Sequence, residues 1–373
     1  MRRRPLIALA DDLTGAAEIA AIAHEAGLQA VVLTKLPRAP VDADVLVFDT
    51  DTRLATPAQA ARRVRAAVTR LKGFPHAGFF KKTDSVLRGP VLAELDACAD
   101  ALGLIRALLV AGNPTLDRII KDGRCFIAGQ LLTETAFAHD PHHPARSSAV
   151  IDLLHASDSP HVVCRAPEDS LPRTGTIVGE HRSPADTARW MRALDDHTLP
   201  VGGADFFRAW LKKRGPRARA AAPDAPVQAP ALLLHGTTAA AATAGTMRFN
   251  GLRAPSVVRV ATALRVFKAV AVAATPLTLN DPLAPAMVSR NFAEMTRNLR
   301  DQGAFRHLLV AGGATAASVL HALGWSSLRV VRVWAPGVVG LQPANDPDFT
   351  VTLKPGSYPW PDAIRASIPR VFS

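Results

Sequence analysis

Short apolar runs, each followed by a polar turn and then by a longer helical stretch, recur through the first hundred residues of this chain. Pro5 to Ala10 is the first such run, and Thr14 to Ala26 carries helical periodicity that stops at Gly27. Ala30 to Thr34 and Val45 to Phe48 read as further strands, and Pro57 to Leu71 as a helix whose proline suits a first turn. Ala77 to Phe80 and Ala107 to Ala111 read as strands on either side of a helix from Pro90 to Leu102. This alternation predicts an α/β fold, a mostly parallel sheet with helices on both faces. In such sheets ligands bind beyond the carboxyl ends of the strands, so the turns that follow the strands are where chemistry is expected.

The pattern stops between Arg214 and Pro230, where Pro216, Pro223, Pro226 and Pro230 sit among alanines and basic residues. That is linker composition. A chain of 373 residues also exceeds one ordinary core. Two domains are therefore expected, 1–213 and 231–373, joined by a linker over 214–230. Beyond the linker Ala231 to His235, His307 to Val310 and Leu328 to Val333 are strands, and Thr315 to Leu323 is a helix ending at Gly324.

Composition excludes several classes. Cys98, Cys125 and Cys164 are far apart and form no CxxC pair, so neither a disulfide framework nor a cysteine zinc site is indicated, and the cytoplasm is the expected compartment. No apolar run reaches the roughly 18 residues of a membrane span. The formal charge of +12 suits nucleic acid or small anions. The basic residues are spread out apart from a cluster at Lys212 to Arg219, without a recognisable nucleic-acid-binding signature. Anionic small molecules, no nucleic acid and no membrane are the expected partners.

Four strand-end motifs carry the chemistry. ALADDLTGA (Ala8 to Ala16) delivers Asp11 and Asp12 to the end of the first strand, where Thr14 and Gly15 start a helix with free N–H groups. A carboxylate there accepts from a substrate hydroxyl or acts as a base; Asp12 or Thr14 as a plain helix cap is the alternative. DTDTR (Asp49 to Arg53) offers Arg53 to a carboxylate, or to a surface ion pair. KKTDSVLRG (Lys81 to Gly89) packs Lys82, Thr83, Asp84, Ser85 and Arg88 into one turn, a density that suits a ligand bearing both carboxylate and hydroxyls, against an ordinary solvated loop. VAGGATA (Val310 to Ala316) brings Gly312 and Gly313 to a helix N-terminus, which favours phosphate or is merely a tight turn. No P-loop or Rossmann fingerprint is present. HGTT (His235 to Thr238) and KPGSYP (Lys354 to Pro359) are further glycine-bearing turns, and HDPHH (His139 to His143) reads as a surface loop rather than a metal site.

Together these motifs resemble the four-carbon acid-sugar kinase family. ADDLTGA, KKTDSVLRG, DGRCFIAGQLLTETAFAHDP (Asp122 to Pro141), AGGATA, APGVVG (Ala335 to Gly340) and the late KPG match it in order and spacing over nearly the whole chain. The resemblance implies phosphorylation of threonate, erythronate or 3-oxo-tetronate by ATP with Mg2+. It places the sugar acid on the N-terminal domain, the nucleotide on the C-terminal domain and the active site in the cleft between them; a homodimer stays open. The implied acid-sugar contacts are Asp12, Arg53 and Lys82 to Ser85, with Asp11, Thr14 and Arg88 in the same motifs. Asp12, or its neighbour Asp11, is implied as the base. The implied nucleotide contacts are Gly312, Gly313, Ala314, Thr315, Gly356, Thr237 and Thr238.

Three departures all fall in the nucleotide half. Ala314 stands where the family loop has Asp, Pro355 to Pro359 loses two of three glycines of the family turn, and Thr237, Thr238 and an alanine run replace a serine-rich turn. They open a second reading, a non-catalytic sugar-acid binder with a degenerate nucleotide site.

Overall fold

The computed structural model describes residues 4–140, 142–215, 226–236, 246–249, 255–274, 284–356 and 358–372. The chain divides into two compact units, residues 1–23 with 34–218, and residues 24–33 with 219–373.

The elements run in the order β1 (Leu6–Ala10), α1 (Leu13–Glu25), β2 (Ala30–Leu33), β3 (Val45–Asp49), α2 (Pro57–Lys72), β4 (Gly78–Lys82), α3 (Val91–Leu102) and β5 (Arg106–Val110). There follow β6 (Arg118–Lys121), β7 (Arg124–Ile127), β8 (Gln130–Leu131), α4 (Val150–Leu153), β9 (Val162–Arg165), β10 (Gly175–Gly179), α5 (Pro184–Ala193), β11 (Thr198–Gly202) and α6 (Ala204–Arg214). The first unit's sheet has the order β3-β1-β4-β11-β5-β10-β9, every pair parallel. Strands such as LIALA in β1 are apolar throughout and fully buried, as a sheet covered on both faces requires. From β1 the chain passes to β3 on one side and then to β4 on the other, so the strand order reverses at β1. That reversal opens a crevice beyond the strand ends.

Helices take opposite faces. Neighbouring residues of a strand point to opposite sides; Lys81 reaches Glu94 on α3, whereas Lys82 reaches Glu18 on α1. Phe80, on the Lys82 side, packs against Phe206, Phe207 and Trp210 of α6. Thr56 caps α2 through a capping box with Gln59, and Pro57 occupies its first position. The strands β6, β7 and β8 form a separate antiparallel three-stranded sheet.

The second unit comprises β12 (Ala231–His235), β13 (Thr246–Phe249), α7 (Val257–Phe267), β14 (Ala269–Ala274), α8 (Ala284–Asp301), β15 (His307–Ala311), α9 (Gly313–Leu323), β16 (Ser327–Ala335), β17 (Val338–Pro343), β18 (Thr350–Lys354), α10 (Asp362–Ser367) and α11 (Pro369–Phe372). Strands β13, β14, β12, β15 and β18 are parallel; β17 and β16 continue antiparallel, and β2 joins β16, also antiparallel. The sequence expectation keeps residues 1–213 together, but β2 pairs with β16 and so counts with the second unit. Here the order reverses at β12, between β14 and β15. Of the expected linker, residues 216–225 lie outside the described residues.

Element ends differ from expectation by one or two residues, at β4 and α9 among others. β4 runs on through Lys81 and Lys82 instead of stopping at Phe80, because buried Glu94 meets one ammonium and half-buried Glu18 the other. Helix α9 begins at Gly313 instead of Thr315.

Candidate active site

The carboxyl ends of β1, β3 and β4 lie side by side, and each is followed by one of the charged motifs. The Thr52 and Arg53 N–H groups donate to the Asp11 carbonyl at 2.9 and 3.1 Å, which lashes the β3 turn to the β1 turn. Arg53 then forks onto both acids: Nε donates to Asp11 Oδ2 at 2.7 Å and NH1 to Asp12 Oδ2 at 2.8 Å. Its NH2 lies 3.8 Å from Asp84 Oδ1.

The two adjacent acids play different parts. Asp12 Oδ1 accepts the Gly15 N–H at 2.9 Å, and Oδ2 accepts Thr14 Oγ1 and Arg53. It is thus an N-cap for α1 with both oxygens engaged. Asp11 is 2 % exposed, and its Oδ1 is buried without a hydrogen-bond partner. Burial pushes the Asp11 carboxyl up, but the Arg53 guanidinium, with Lys81 and Lys82 behind it, outweighs burial and holds it below the usual value. A buried carboxylate oxygen with free lone pairs is an acceptor waiting for a donor.

The β4 turn is a closed network. Arg88 donates to Asp84 through Nε at 3.0 Å and NH2 at 2.9 Å, and through NH1 to Asp140 at 2.9 Å. Burial favours the neutral acid, yet Arg53, Arg88 and Lys82 hold Asp84 far below the carboxylate range. Ser85 Oγ accepts from Arg118 NH1 at 2.8 Å. Thr83 is buried, its N–H donating to the Gly202 carbonyl at 3.1 Å. Lys82 Nζ lies 3.3 Å from Glu18 and donates to the Thr83 carbonyl at 2.9 Å. Gly15 is a glycine for a reason of space: a Cβ there would stand 2.7 Å from Asp12 Oδ1 and 3.5 Å from Lys82 Nζ. Asp49, at the end of β3, is pushed up to about 8 by burial, against the opposing Asp51 N–H, with the negative charge of Asp12, Asp51 and Asp11 adding to the rise.

Sequence reasoning brings Asp11, Asp12, Thr14, Arg53, Lys82, Asp84, Ser85 and Arg88 together, as the structure does. It misses Glu18, Glu94, Arg118 and Asp140, which pair those groups. The HDPHH loop finds its use here: Asp140 takes Arg88 and the N–H groups of His142 and His143, and His143 Nε2 meets the Arg53 carbonyl at 2.9 Å.

The second unit has its own strand-end cluster. His235, Ala311 and Lys354 are in register across β12, β15 and β18, and the ladder continues as Gly236 N–H to Ala311 and Gly312 N–H to Lys354. Gly312 has φ 108, a conformation that glycine tolerates, and precedes the first turn of α9. Gly313 and Ala314 lie in that turn, with Ala314 exposed. Thr315 is buried, its hydroxyl 3.4 Å from Ser289, and a Cβ on Gly236 would collide with it. Lys354 Nζ donates to the carbonyls of Pro355, Gly356 and Tyr358 and so shapes the turn holding Gly356; burial lowers it to about 8. His235 Nδ1 is buried without a partner, and burial together with Lys354 lowers the ring to about 4, keeping it neutral. Thr237 and Thr238 lie outside the described residues.

Fold and clusters define a two-unit α/β protein with an acid-and-cation site at one unit's switch point and a glycine turn leading into a helix at the other's. Residues 6–189 match the sugar-binding N-terminal domain and residues 215–362 the nucleotide-binding C-terminal domain. The chain belongs to the four-carbon acid-sugar kinase family, which joins these two domains. It is 33% identical to D-erythronate kinase of Heliobacterium modesticaldum over 47% of this chain and 41% of that one, so it spans less than half of that relative's length in the match. It is 26% identical to 3-oxo-tetronate kinase of Brucella melitensis over 94% of this chain and 92% of that one. Its fold is that of a Haemophilus influenzae protein of known crystal structure, with TM-score 0.76 at 19% identity over 97% of this chain and 98% of that one.

Proposed function

We propose that the protein is a kinase that transfers the γ-phosphoryl group of ATP to a hydroxyl of a four-carbon sugar acid of the threonate, erythronate or 3-oxo-tetronate type. One observation carries this reading: the charged turns of β1, β3 and β4 converge on Asp11, whose Oδ1 is buried and unbonded. The names of the relatives support the substrate class.

In this reading Asp11 Oδ1 accepts the proton of the substrate hydroxyl as its oxygen attacks phosphorus. ADP leaves, and Asp11 later returns the proton to solvent. Asp12 fixes the N-terminus of α1 and shares Arg53. Arg53 and Lys82 supply the positive field for the substrate carboxylate, Asp84 and Ser85 hold the turn that presents it, and Arg88 braces that turn. The Gly312 turn and the open N–H groups of α9 suit the donor's phosphates, and the unbonded Nδ1 of His235 lies at the same strand ends. Mg2+ supplies charge neutralisation on the phosphates; it is assigned no protein ligand. Among the described residues no helix is long and apolar enough to cross a membrane.

A coupled assay of ADP release over a panel of tetronate stereoisomers is expected to show turnover with at least one. No turnover in folded protein that binds ATP would reject the substrate class. A calorimetric signal for a tetronate with none for millimolar Mg-ATP would favour a non-catalytic binder, the reading that Ala314 motivates.

A further inference from the structure

The first unit holds a cavity that the chemistry above does not use. Its volume is about 460 Å³, and it lies between the N-termini of α2 and α3 on one side and the segment 132–155 on the other. None of Asp11, Asp12, Arg53, Lys82, Asp84 and Ser85 lines it. Gly89 and His143 do. A Cβ on Gly89 would stand 2.9 Å from the Arg53 carbonyl oxygen, and His143 Nε2 meets the same oxygen at 2.9 Å. The Arg53 backbone therefore backs the wall between this cavity and the acid site.

The outer wall is held in a set shape by its own hydrogen bonds. The Ala145 N–H donates to the Phe137 carbonyl at 2.9 Å. Asp140 Oδ1 accepts from the N–H groups of His142 and His143 at 3.0 and 2.8 Å. Ser147 Oγ accepts the Ala149 N–H at 3.0 Å and donates to Asp152 Oδ2 at 2.7 Å.

The lining states what the cavity can hold. Its floor is apolar: Val86, Leu87 and Leu132 are buried, Phe137 and Leu153 half-buried. A small polyhydroxylated acid would give up hydrogen bonds to water there without replacement. The rim is cationic. Arg146 is exposed and has no hydrogen-bond or ion-pair partner among the described residues. Arg88 donates to Asp84 and Asp140 through three of its N–H groups, fewer than a guanidinium carries. Asp152, the acid among the lining residues, is engaged by Ser147. A mostly apolar cavity of this size with a few polar groups at its edge has the make-up of a small-molecule site, and free guanidinium groups select an anion.

We propose that this cavity is a second ligand site of the first unit, for a small organic anion whose apolar body lies on Leu132, Phe137 and Leu153 and whose carboxylate or phosphate group faces the rim of Arg146 and Arg88. The site goes beyond the phosphoryl-transfer reading and stands whether or not that reading holds.

Calorimetric titration of the full chain tests it, with 4-iodobenzoate and phenyl phosphate as probes and 4-iodobenzamide as the uncharged control. The two anions separate a carboxylate from a phosphate headgroup, and binding of either, about ten-fold or more tighter than the amide, upholds the site. Arg146→Glu reverses an exposed, unpartnered charge and is expected to weaken the anion by about ten-fold or more. Leu153→Trp fills the cavity and is expected to abolish binding; thermal melts check that each variant folds, and Arg146→Glu carries the test where Leu153→Trp does not. In crystals soaked with 4-iodobenzoate the anomalous signal of iodine should lie against Leu132 and Phe137. No heat with either anion, equal affinity for the amide, an unchanged affinity in either folded variant, or an iodine peak elsewhere overturns the proposal. Complete displacement of the anion by a tetronate overturns it too, because the cavity would then be part of the acid site.

Discussion

Asp12 uses both carboxylate oxygens on the helix it begins and on Arg53, whereas Asp11 keeps one free. The sequence places the acids next to each other and cannot separate the cap from the base; only the direction of each side chain does. Asp11→Asn should lower turnover by roughly 10²–10⁴-fold with a near-native melting temperature. Asp12→Ala should instead cost about 1 kcal/mol of stability through the lost cap, together with weaker sugar-acid binding through a displaced Arg53. Steady-state kinetics beside thermal melts check both, and a reversed pattern would return the base to Asp12. Asp49 gives a second expectation. Its folded value, about 8, lies above the ordinary carboxyl value of 3.8, so the folded state binds this proton more tightly than the unfolded chain. Stability from that proton is present in full below about pH 4 and is lost as pH rises toward 8. Asp49→Asn should therefore stabilise the protein more at pH 8 than at pH 5, and equal gains at both would show that Asp49 ionises normally. The partners Glu18 and Glu94 were not legible, because single glutamates on helices read as solvated surface until a lysine is found beneath them.

The strands and helices of the N-terminal region were legible because runs such as LIALA and VLVFD are too apolar for any place but a covered sheet. Which sheet a strand joins was not. Nothing within Ala30–Leu33 tells that its partner is β16, some three hundred residues on, since pairing is decided by the other strand. The glycine turn in the second unit was legible as a turn, but its tightness was not. Gly236 leaves no room for a Cβ beside the Thr315 side chain. Gly236→Ala should push α9 away from β12, lower the melting temperature by several degrees and weaken Mg-ATP binding about ten-fold or more, with sugar-acid affinity unchanged. Differential scanning calorimetry and nucleotide titration check this. A variant with native nucleotide affinity would mean that the nucleotide does not use this turn. Ala314 is exposed in the first turn of α9, where a side-chain carboxylate has room. Ala314→Asp should change Mg-ATP affinity by a few fold: tighter if the carboxylate caps the helix or holds a magnesium-bound water, weaker if it faces phosphate. No change in affinity would place the phosphates elsewhere.

At the scale of the whole chain, the two candidate sites follow one rule, once in each unit. Each lies where strand order reverses, at β1 in the first unit and at β12 in the second. The first site is built from acids and cations in ion pairs, the second from glycines, a helix N-terminus, a neutral histidine and a lysine already bound to carbonyls. The net charge of +12 gives little guide to this division, because the cations that matter are paired and buried or half-buried. The two sites should therefore respond to different ligands in different stretches of chain. Amide hydrogen exchange reads this without any assumption about turnover. A tetronate should slow exchange in residues 9–16, 50–53 and 82–88, where the Thr52, Arg53 and Gly15 N–H groups hold Asp11 and Asp12. Mg-ATP should slow it in residues 311–317 and 352–356, where the first turn of α9 presents N–H groups. Local opening sets exchange rates, and a ligand that binds only the closed form suppresses them in proportion to its occupancy. Protection by Mg-ATP confined to residues 9–16 and 82–88 would overturn the assignment of donor and acceptor to the two units, because it would place the phosphates on the acid site.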